Sequence, residues 1–400
     1  MTGRRFRLAV VAPHVVQYQV PLYRALAQNP EIDLTVLFCS RAGSKEYFDR
    51  EFGRRLSWDG PLERGYGHRF FSNWSLTPSS GGFFSRLNPG LVAHILGRRY
   101  DAIVVPGYAT ASYWIAYLGA WLSGTPVLFR GEVVLRESGP YWFGRVKRLL
   151  VGLLFRGTSG FLALGRAGRE FYSSYGVPEA RVFDTPYTVD NDFFMKEADR
   201  LGPQRAALRE ELGLPPDGPV VAFVGKLVPR KRPLDLIEAV ASLDAPPGLL
   251  FVGDGALRPE LENRARAAGL RHVSFAGFRN QSEIPRCYAA ADLLALPSSH
   301  EVAPLVLNEA MCSGLGLVVS AAVPSAVDLV EDGVNGYVHK CGDVASLAEA
   351  LRAALSSPER LRRLGERSRA KITRWSHAEV VAGLVAALRS HGRGAPPVSV

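Results

Sequence analysis

Pro219-Val-Val-Ala-Phe-Val224-Gly225-Lys226-Leu-Val-Pro-Arg230-Lys231-Arg-Pro233 decides how this chain is read. The apolar run 219–224, rich in valine and free of charge, has the length and composition of a buried strand. It stops at Gly225 and releases cations into a loop. Pro233 then suits the first turn of a helix. Strand, glycine, cations and helix start in that order form a cradle for phosphate, because ammonium groups and free N–H groups face the same anion. Taken alone, the loop also reads as a solvated basic turn.

The same alternation runs outward in both directions. Strands are expected at Phe6–Ala12, Leu34–Phe38, Ala102–Pro106, Pro126–Arg130 and Gly160–Leu164, and again at 219–224, 248–252, 272–275, 293–296 and 316–320. Amphipathic stretches between them predict helices, for example 20–28, 109–123, 143–155, 233–243, 304–313 and 344–355. Alternating strands and helices imply an α/β architecture of parallel sheets covered by helices. Four hundred residues exceed one ordinary core. The prolines between 186 and 215 mark a boundary, giving Rossmann-like domains at 1–190 and 191–374. A terminal helix with a flexible tail is expected at 375–400, the helix packing back on the first domain. Residues 41–85 read as irregular loops. Residues 102–129 carry no charge and are long enough to span a bilayer. Their glycines and prolines instead divide them into strand, helix and strand.

Charge is uneven. Residues 1–200 hold 25 Lys and Arg against 17 Asp and Glu, whereas 201–400 hold 23 against 21. The net charge of +10 therefore sits mostly in the first half. That suits an anionic partner, or it reflects arginine-rich codon usage. The four cysteines, Cys39, Cys287, Cys312 and Cys341, form no Cys-x-x-Cys pair. They read as buried thiols in a reducing compartment rather than a disulfide frame or zinc site. Met1–Pro13 is too short in its apolar run for a signal peptide and reads as a first strand.

Further motifs follow the phosphate loop in order. Gly253-Asp254-Gly255 ends one strand and Phe275-Ala-Gly277-Phe278 another. Leu296-Pro-Ser298 precedes Glu301-Val-Ala-Pro-Leu-Val-Leu-Asn-Glu309, two carboxylates eight positions apart, the second inside a helix. Gly333-Val-Asn335-Gly336 reads as a hairpin-like turn. Carboxylates hold hydroxyls and the loop holds phosphate, a pairing that fits a sugar nucleotide. Asp190-Asn-Asp192 has the form of a metal-ligating pair but lies in the interdomain linker, so no metal site is expected there.

This ordered set resembles the family 4 retaining glycosyltransferases of the GT-B fold, whose two Rossmann-like domains face each other across a cleft. The resemblance covers most of 186–375 and extends loosely to Pro21–Leu26 and Gly176–Phe193. It implies a nucleoside-diphosphate sugar as donor substrate, no cofactor and no metal. Gly225, Lys226 and Lys231 would bind the diphosphate, with Ala303, Pro304 and Leu305 at the helix start. Glu309 would hold the ribose, Asp254 and Phe278 would border the nucleotide, and Glu301 would touch the transferred sugar. Lys226 stands where the family usually has arginine. The catalytic set is Glu301, Lys226, Lys231 and Glu132. His14, Gln17, Tyr18 and Arg130 would receive the acceptor, although Pro13–Gln19 lacks the family's glycines and Arg130-Gly-Glu132 stands where many members carry histidine. Glu132 reads equally as an ion-pair partner of Arg130 or Arg136.

The expected reaction is retaining transfer of a sugar to a hydroxyl of a lipid-linked glycan or small molecule. Expected with it is a cytoplasmic location with peripheral contact to an anionic membrane, through the aromatic and basic segment 141–150; residues 141–155 read alternatively as a core helix with a basic exposed end. The alternatives are a sugar-nucleotide epimerase of the same fold and a basic, non-catalytic binding protein. No nucleic-acid motif is present.

Overall fold

The computed structural model describes residues 5–44, 47–49, 54–56, 58–78, 81–132, 141–301 and 304–393, with the backbone alone at 47–49, 54, 56 and 141–145. Ala303 and Arg136, together with the side chains of Tyr141, Trp142, Phe143 and Arg145, lie outside the described part. The chain divides into two compact units. One comprises Met1–Lys45, Gly60–Tyr187 and His377–Val400, and the other Glu46–Asp59 and Thr188–Ser376.

Among the described residues, nine strands precede the linker: β1 (Phe6–Ala12), β2 (Ile32–Phe38), β3 (Tyr47–Asp49), β4 (Arg54–Leu56), β5 (Gly67–Phe70), β6 (Ala102–Val105), β7 (Val127–Phe129), β8 (Gly160–Ala163) and β9 (Val182–Asp184). Seven form the sheet β5-β2-β1-β6-β7-β8-β9, every pairing parallel. β3 and β4 make a separate antiparallel ribbon. The second unit adds β10 (Val220–Val224), β11 (Gly248–Val252), β12 (Val273–Gly277), β13 (Leu293–Leu296), β14 (Gly316–Ser320) and β15 (Gly336–His339). Their order is β12-β11-β10-β13-β14-β15, again all parallel. In both sheets the first strand of the set lies inside. The next two strands run to one side and the later ones to the other, as in doubly wound nucleotide-binding folds.

Strands buried on both faces explain the unbroken apolar runs. In β10, Val220, Ala222 and Val224 enter one core while Val221 and Phe223 enter the core on the opposite face. In β1, Ala9 and Val11 face one helical layer and Leu8 and Ala12 the other. The uncharged stretch 102–129 is the unit β6, helix Ala111–Ser123, β7. Among the described residues, no helix is long and apolar enough to cross a membrane.

The structure corrects several local expectations. The supposed loop 41–85 contains β5, an edge strand paired with β2. Gly333–Gly336 is not a hairpin: Gly336 opens β15, which runs parallel to β14. β9 and the helix Pro358–Ile372 were not expected. The last helix, His377–His391, lies on the first unit, where Arg389 makes a bidentate pair with Glu31 at 2.8–2.9 Å.

Candidate active site

Ligands in this architecture bind beyond the carboxyl ends of the strands, where the strand order reverses. In the second sheet that point is the junction of β10 and β13. The loop leaving β10 carries Gly225–Lys231 and the loop leaving β13 carries Ser298–Glu301. The structure joins them. Ser299 N donates to the Arg230 carbonyl at 2.8 Å. Lys231 Nζ lies 2.5 Å from Glu301 Oε1, with Arg230 Nη1 at 4.0 Å from the same atom. Ser298 Oγ donates to Glu301 at 3.1 Å. Both charged side chains of the pair are only 10% exposed. A buried ion pair offsets its desolvation only with close geometry and further hydrogen bonds, and this one has both.

The backbone supplies the geometry. Arg232 precedes a proline, which disfavours the right-handed helical region. It takes φ 50°, ψ 44° instead and is held there by Asp235 at 2.6 Å. That left-handed residue closes the turn Pro229–Lys231 and leaves Lys231 turned inward over Gly225. A Cβ on Gly225 would stand 3.4 Å from Lys231 Nζ. The next loop packs still closer. Leu227 N donates to Asp254 O at 2.9 Å and Gly225 N to Val252 O at 2.9 Å. Cβ atoms on Gly253 and Gly255 would fall 2.0 Å from Gly225 O and 2.5 Å from Leu227 O. The Gly-Asp-Gly sequence thus shapes the floor of the loop 225–231. Asp254 pairs with Arg258 at 3.6 Å.

The helix Leu305–Cys312 begins just beyond Glu301, with Pro304 as its cap. Pro304 has no N–H, so it cannot donate to a diphosphate, which corrects its place beside Ala303 and Leu305 among the expected diphosphate-binding residues. Leu307 N donates to the Pro304 carbonyl at 3.1 Å, and Leu305 and Val306 lie in the first turn, where helix N–H groups lack intrahelical acceptors. Glu309 sits one turn on, half-buried, and accepts from Tyr288 Oη at 2.6 Å. Burial raises its pKa to about 7, against a smaller lowering by the tyrosine hydrogen bond. The structure gives Glu309 a different partner from Glu301, so the two glutamates are not one cluster. The unfolded chain gives up the Glu309 proton near pH 4.5 while the folded chain keeps it to about pH 7. Stability from this group is therefore full below pH 4.5 and is lost as pH rises through 7. Glu309→Gln is expected to raise the melting temperature by a few degrees at pH 8 and to leave it unchanged at pH 4.5. Paired thermal melts at the two pH values check this.

Phe278 follows β12, and a segment distant in sequence stands beside it. The Trp58 and Phe278 rings are 6.1 Å apart. Asp59 accepts from Asn280 Nδ2 at 2.9 Å and Ser282 Oγ at 2.6 Å. No motif at 58–59 pointed to this, since the contact spans more than two hundred positions. Tyr288 and Ser298, which position the two glutamates, were also missed as site residues. Lys226 follows Gly225 in the same loop.

The proposed acceptor residues lie at the carboxyl ends of β1 and β7 in the first unit. Tyr187 Oη donates to Glu132, and the Arg130 guanidinium lies 5.8 Å from the Tyr187 ring centre. Tyr18 lies 6.5 Å from the same ring. Burial, then Glu132, raises the Tyr18 pKa, so its hydroxyl stays protonated. His14 is pushed down to about 4 by burial and Arg86, and is neutral at pH 7. Its Nδ1 and Arg130 Nε are buried without a hydrogen-bond partner among the described residues. Gln17 opens the short turn before the helix Val20–Gln28. Asp190, half of the Asp-x-Asp, caps the helix Asn191–Leu201 by accepting from Phe193 N at 3.0 Å.

Residues 204–371 match the family described as Glycosyl transferases group 1. A D-inositol 3-phosphate glycosyltransferase from Nocardia farcinica is 36% identical over 228 residues, covering 54% of this chain and 49% of that protein. An alpha-D-kanosaminyltransferase from Streptomyces kanamyceticus is 34% identical over 205 residues, covering 50% and 52%. The chain thus spans about half the length of the curated relatives it matches. Among solved structures, Anabaena Alr3699/HepE in complex with UDP and glucose aligns over 96% of this chain and 99% of its own, with TM-score 0.69 and 20% identity. A glycosyltransferase from Rickettsia africae aligns over 96% and 97%, with TM-score 0.71 and 16% identity. The fold is GT-B.

Proposed function

We propose, from the premise that residues 204–371 form a glycosyl transferases group 1 domain, that this chain transfers a sugar from a nucleoside-diphosphate sugar to an acceptor hydroxyl. The observation that carries the reading is the buried Lys231–Glu301 pair at the strand-order reversal, above a floor of three glycines. Lys231, Lys226 and the first turn of Leu305–Cys312 supply positive charge where the diphosphate departs. Glu301 faces the sugar hydroxyls and Glu309 the ribose. The bond from the anomeric carbon to the diphosphate oxygen breaks through an oxocarbenium-like state. The acceptor oxygen forms its bond on the same face, and its proton passes to the departing phosphate. Configuration is retained. The charge on the leaving group is met by side chains and helix amides, so transfer proceeds without a resident metal.

His14, Gln17, Tyr18, Arg130 and Glu132 form the acceptor side of this reading. The excess of cations in residues 1–200 favours an anionic acceptor. A phosphate-bearing small molecule or a lipid-linked glycan at the inner face of a membrane has that chemistry. The protein works in the cytoplasm, where nucleotide sugars and reduced thiols coexist.

The test is a thermal-shift screen against nucleotide sugars, followed by transfer assays with the stabilising donor. The expected result is a shift that is lost in Glu309→Ala and Lys231→Ala. The product should keep the donor's anomeric configuration by NMR, and turnover should be unchanged by EDTA. Well-folded protein that shifts with no nucleotide sugar overturns the reading. Donor consumed to an isomer without acceptor identifies an epimerase instead.

A further inference from the structure

The helices covering one face of the first sheet carry an apolar outer surface. Gly90–Arg98, Ala111–Ser123 and Tyr141–Arg156 all send side chains into the same core: Leu91 and Ile95, Tyr113 and Tyr117, Val151 and Leu154. Outward, Leu118, Trp121 and Leu122 of the second helix are 47%, 44% and 63% exposed. Val146, Leu149, Leu150 and Leu153 of the third are 49%, 65%, 47% and 50% exposed. Their spacing of three, four and seven puts these four on one stripe. The two helices meet where Trp121 Nε1 donates to Gly157 O at 3.0 Å, so their outer faces adjoin. A soluble face of this kind normally shows charge at such positions.

Charge is present, but of one sign. The three helices contain Arg98, Arg145, Lys147, Arg148 and Arg156, and neither aspartate nor glutamate. Between Glu63 and Glu132 the chain holds a single acidic residue, Asp101, which is buried and accepts from Arg7 N at 2.8 Å. Arginine-rich helices of the second unit are different. Pro358–Ile372 balances its arginines with Glu359 and Glu366, paired to Arg363 and Arg362. Exclusion of acids thus runs through all three of these helices, and the first acid after them in the chain, Glu170, lies on the adjoining helix Arg166–Ser174. An apolar stripe flanked by cations alone matches a bilayer with anionic headgroups: the leucines enter the acyl boundary and the arginines meet the phosphates.

We infer that the outer face of helices 111–123 and 141–156 docks this protein on an anionic membrane surface, with Leu149, Leu150 and Leu153 inserted. The inference adds a partner to the lipid-linked acceptor reading, yet it is tested without any sugar transfer. Full-length protein is mixed with vesicles of phosphatidylcholine alone or with about a third phosphatidylglycerol, and binding is read by flotation. Binding is expected to the anionic vesicles, weakening with salt. Leu149→Asp/Leu153→Asp is expected to bind about tenfold or more weakly while keeping its melting temperature and its nucleotide-sugar shift. Equal binding by the double variant, or no binding by the wild type, overturns the inference. If light scattering shows a dimer that the variant loses, and vesicles do not bind, the face joins two copies of this chain and the inference falls. A retained donor shift in any of these cases leaves the transferase reading standing.

Discussion

Lys231→Ala is expected to lower kcat by roughly a hundred- to a thousandfold, the usual effect of removing one preorganised group that faces developing negative charge. The lysine is held before any donor arrives. Its stem crosses Gly225, its ammonium touches Glu301, and little of it reaches water. No reorganisation is then needed when charge builds on the leaving diphosphate. The substitution has a second consequence. Glu301 stays buried with Ser298 and the more distant Arg230, so a carboxylate loses its main counter-charge. The melting temperature should fall with the activity. The two effects separate in Lys231→Met/Glu301→Gln, which replaces the pair with neutral groups of similar volume. Its stability should return toward wild type while its turnover stays low. Single-turnover rates with saturating donor decide the matter. A loss of less than about fivefold in Lys231→Ala would place the ammonium away from the reacting bond.

The cradle was legible because its determinants are local. Gly225, Lys231, Pro233 and the Gly253-Asp-Gly255 turn each follow a strand in the chain, and parallel α/β order sends every such loop to the same sheet edge. Glu301 was legible for the same reason. What held these groups was not. Tyr288, the partner of Glu309, lies on another helix, and its hydroxyl carries no sequence signal. Asp59 reaches Ser282 across more than two hundred residues from a region read as loop. Tyr187, the partner of Glu132, stands in the linker among prolines that marked only a boundary. Short strands escaped as well. β5 contains Gly67, His68 and Arg69, and only its pairing with β2 makes it a strand; tertiary context decides such edges. β15 begins at Gly336, whose turn-like sequence is required because a Cβ there would fall 2.3 Å from Leu317 O.

Gly253→Ala should be the most damaging single methyl in the second unit. The site combines two constraints that usually occur apart. Its φ of +131° is a conformation that L side chains rarely adopt, at a cost of order 1–3 kcal/mol. The added Cβ would also stand 2.0 Å from the Gly225 carbonyl oxygen and 2.8 Å from its carbon. Those are backbone atoms and cannot rotate away as a side chain would. Gly225 N is meanwhile tied to Val252 O and Gly253 N to Gly277 O, at 2.9 and 2.8 Å, so relief requires three strand ends to part. A destabilisation of about 2–4 kcal/mol follows, in the range reserved for backbone collisions and lost core packing. The same movement carries Gly225 away from Lys231, so donor affinity should fall in any fraction that remains folded. Gly314→Ala is the control. It also has positive φ, +75°, but nothing lies within 4 Å of its added methyl. Strain alone acts there, and its cost should stay near 1 kcal/mol. Melting curves of the two variants, taken with and without the stabilising nucleotide sugar, test the contrast. Equal small shifts for both would mean that the Gly-Asp-Gly loop is free to move, and that the floor of the phosphate cradle is less rigid than its hydrogen bonds require.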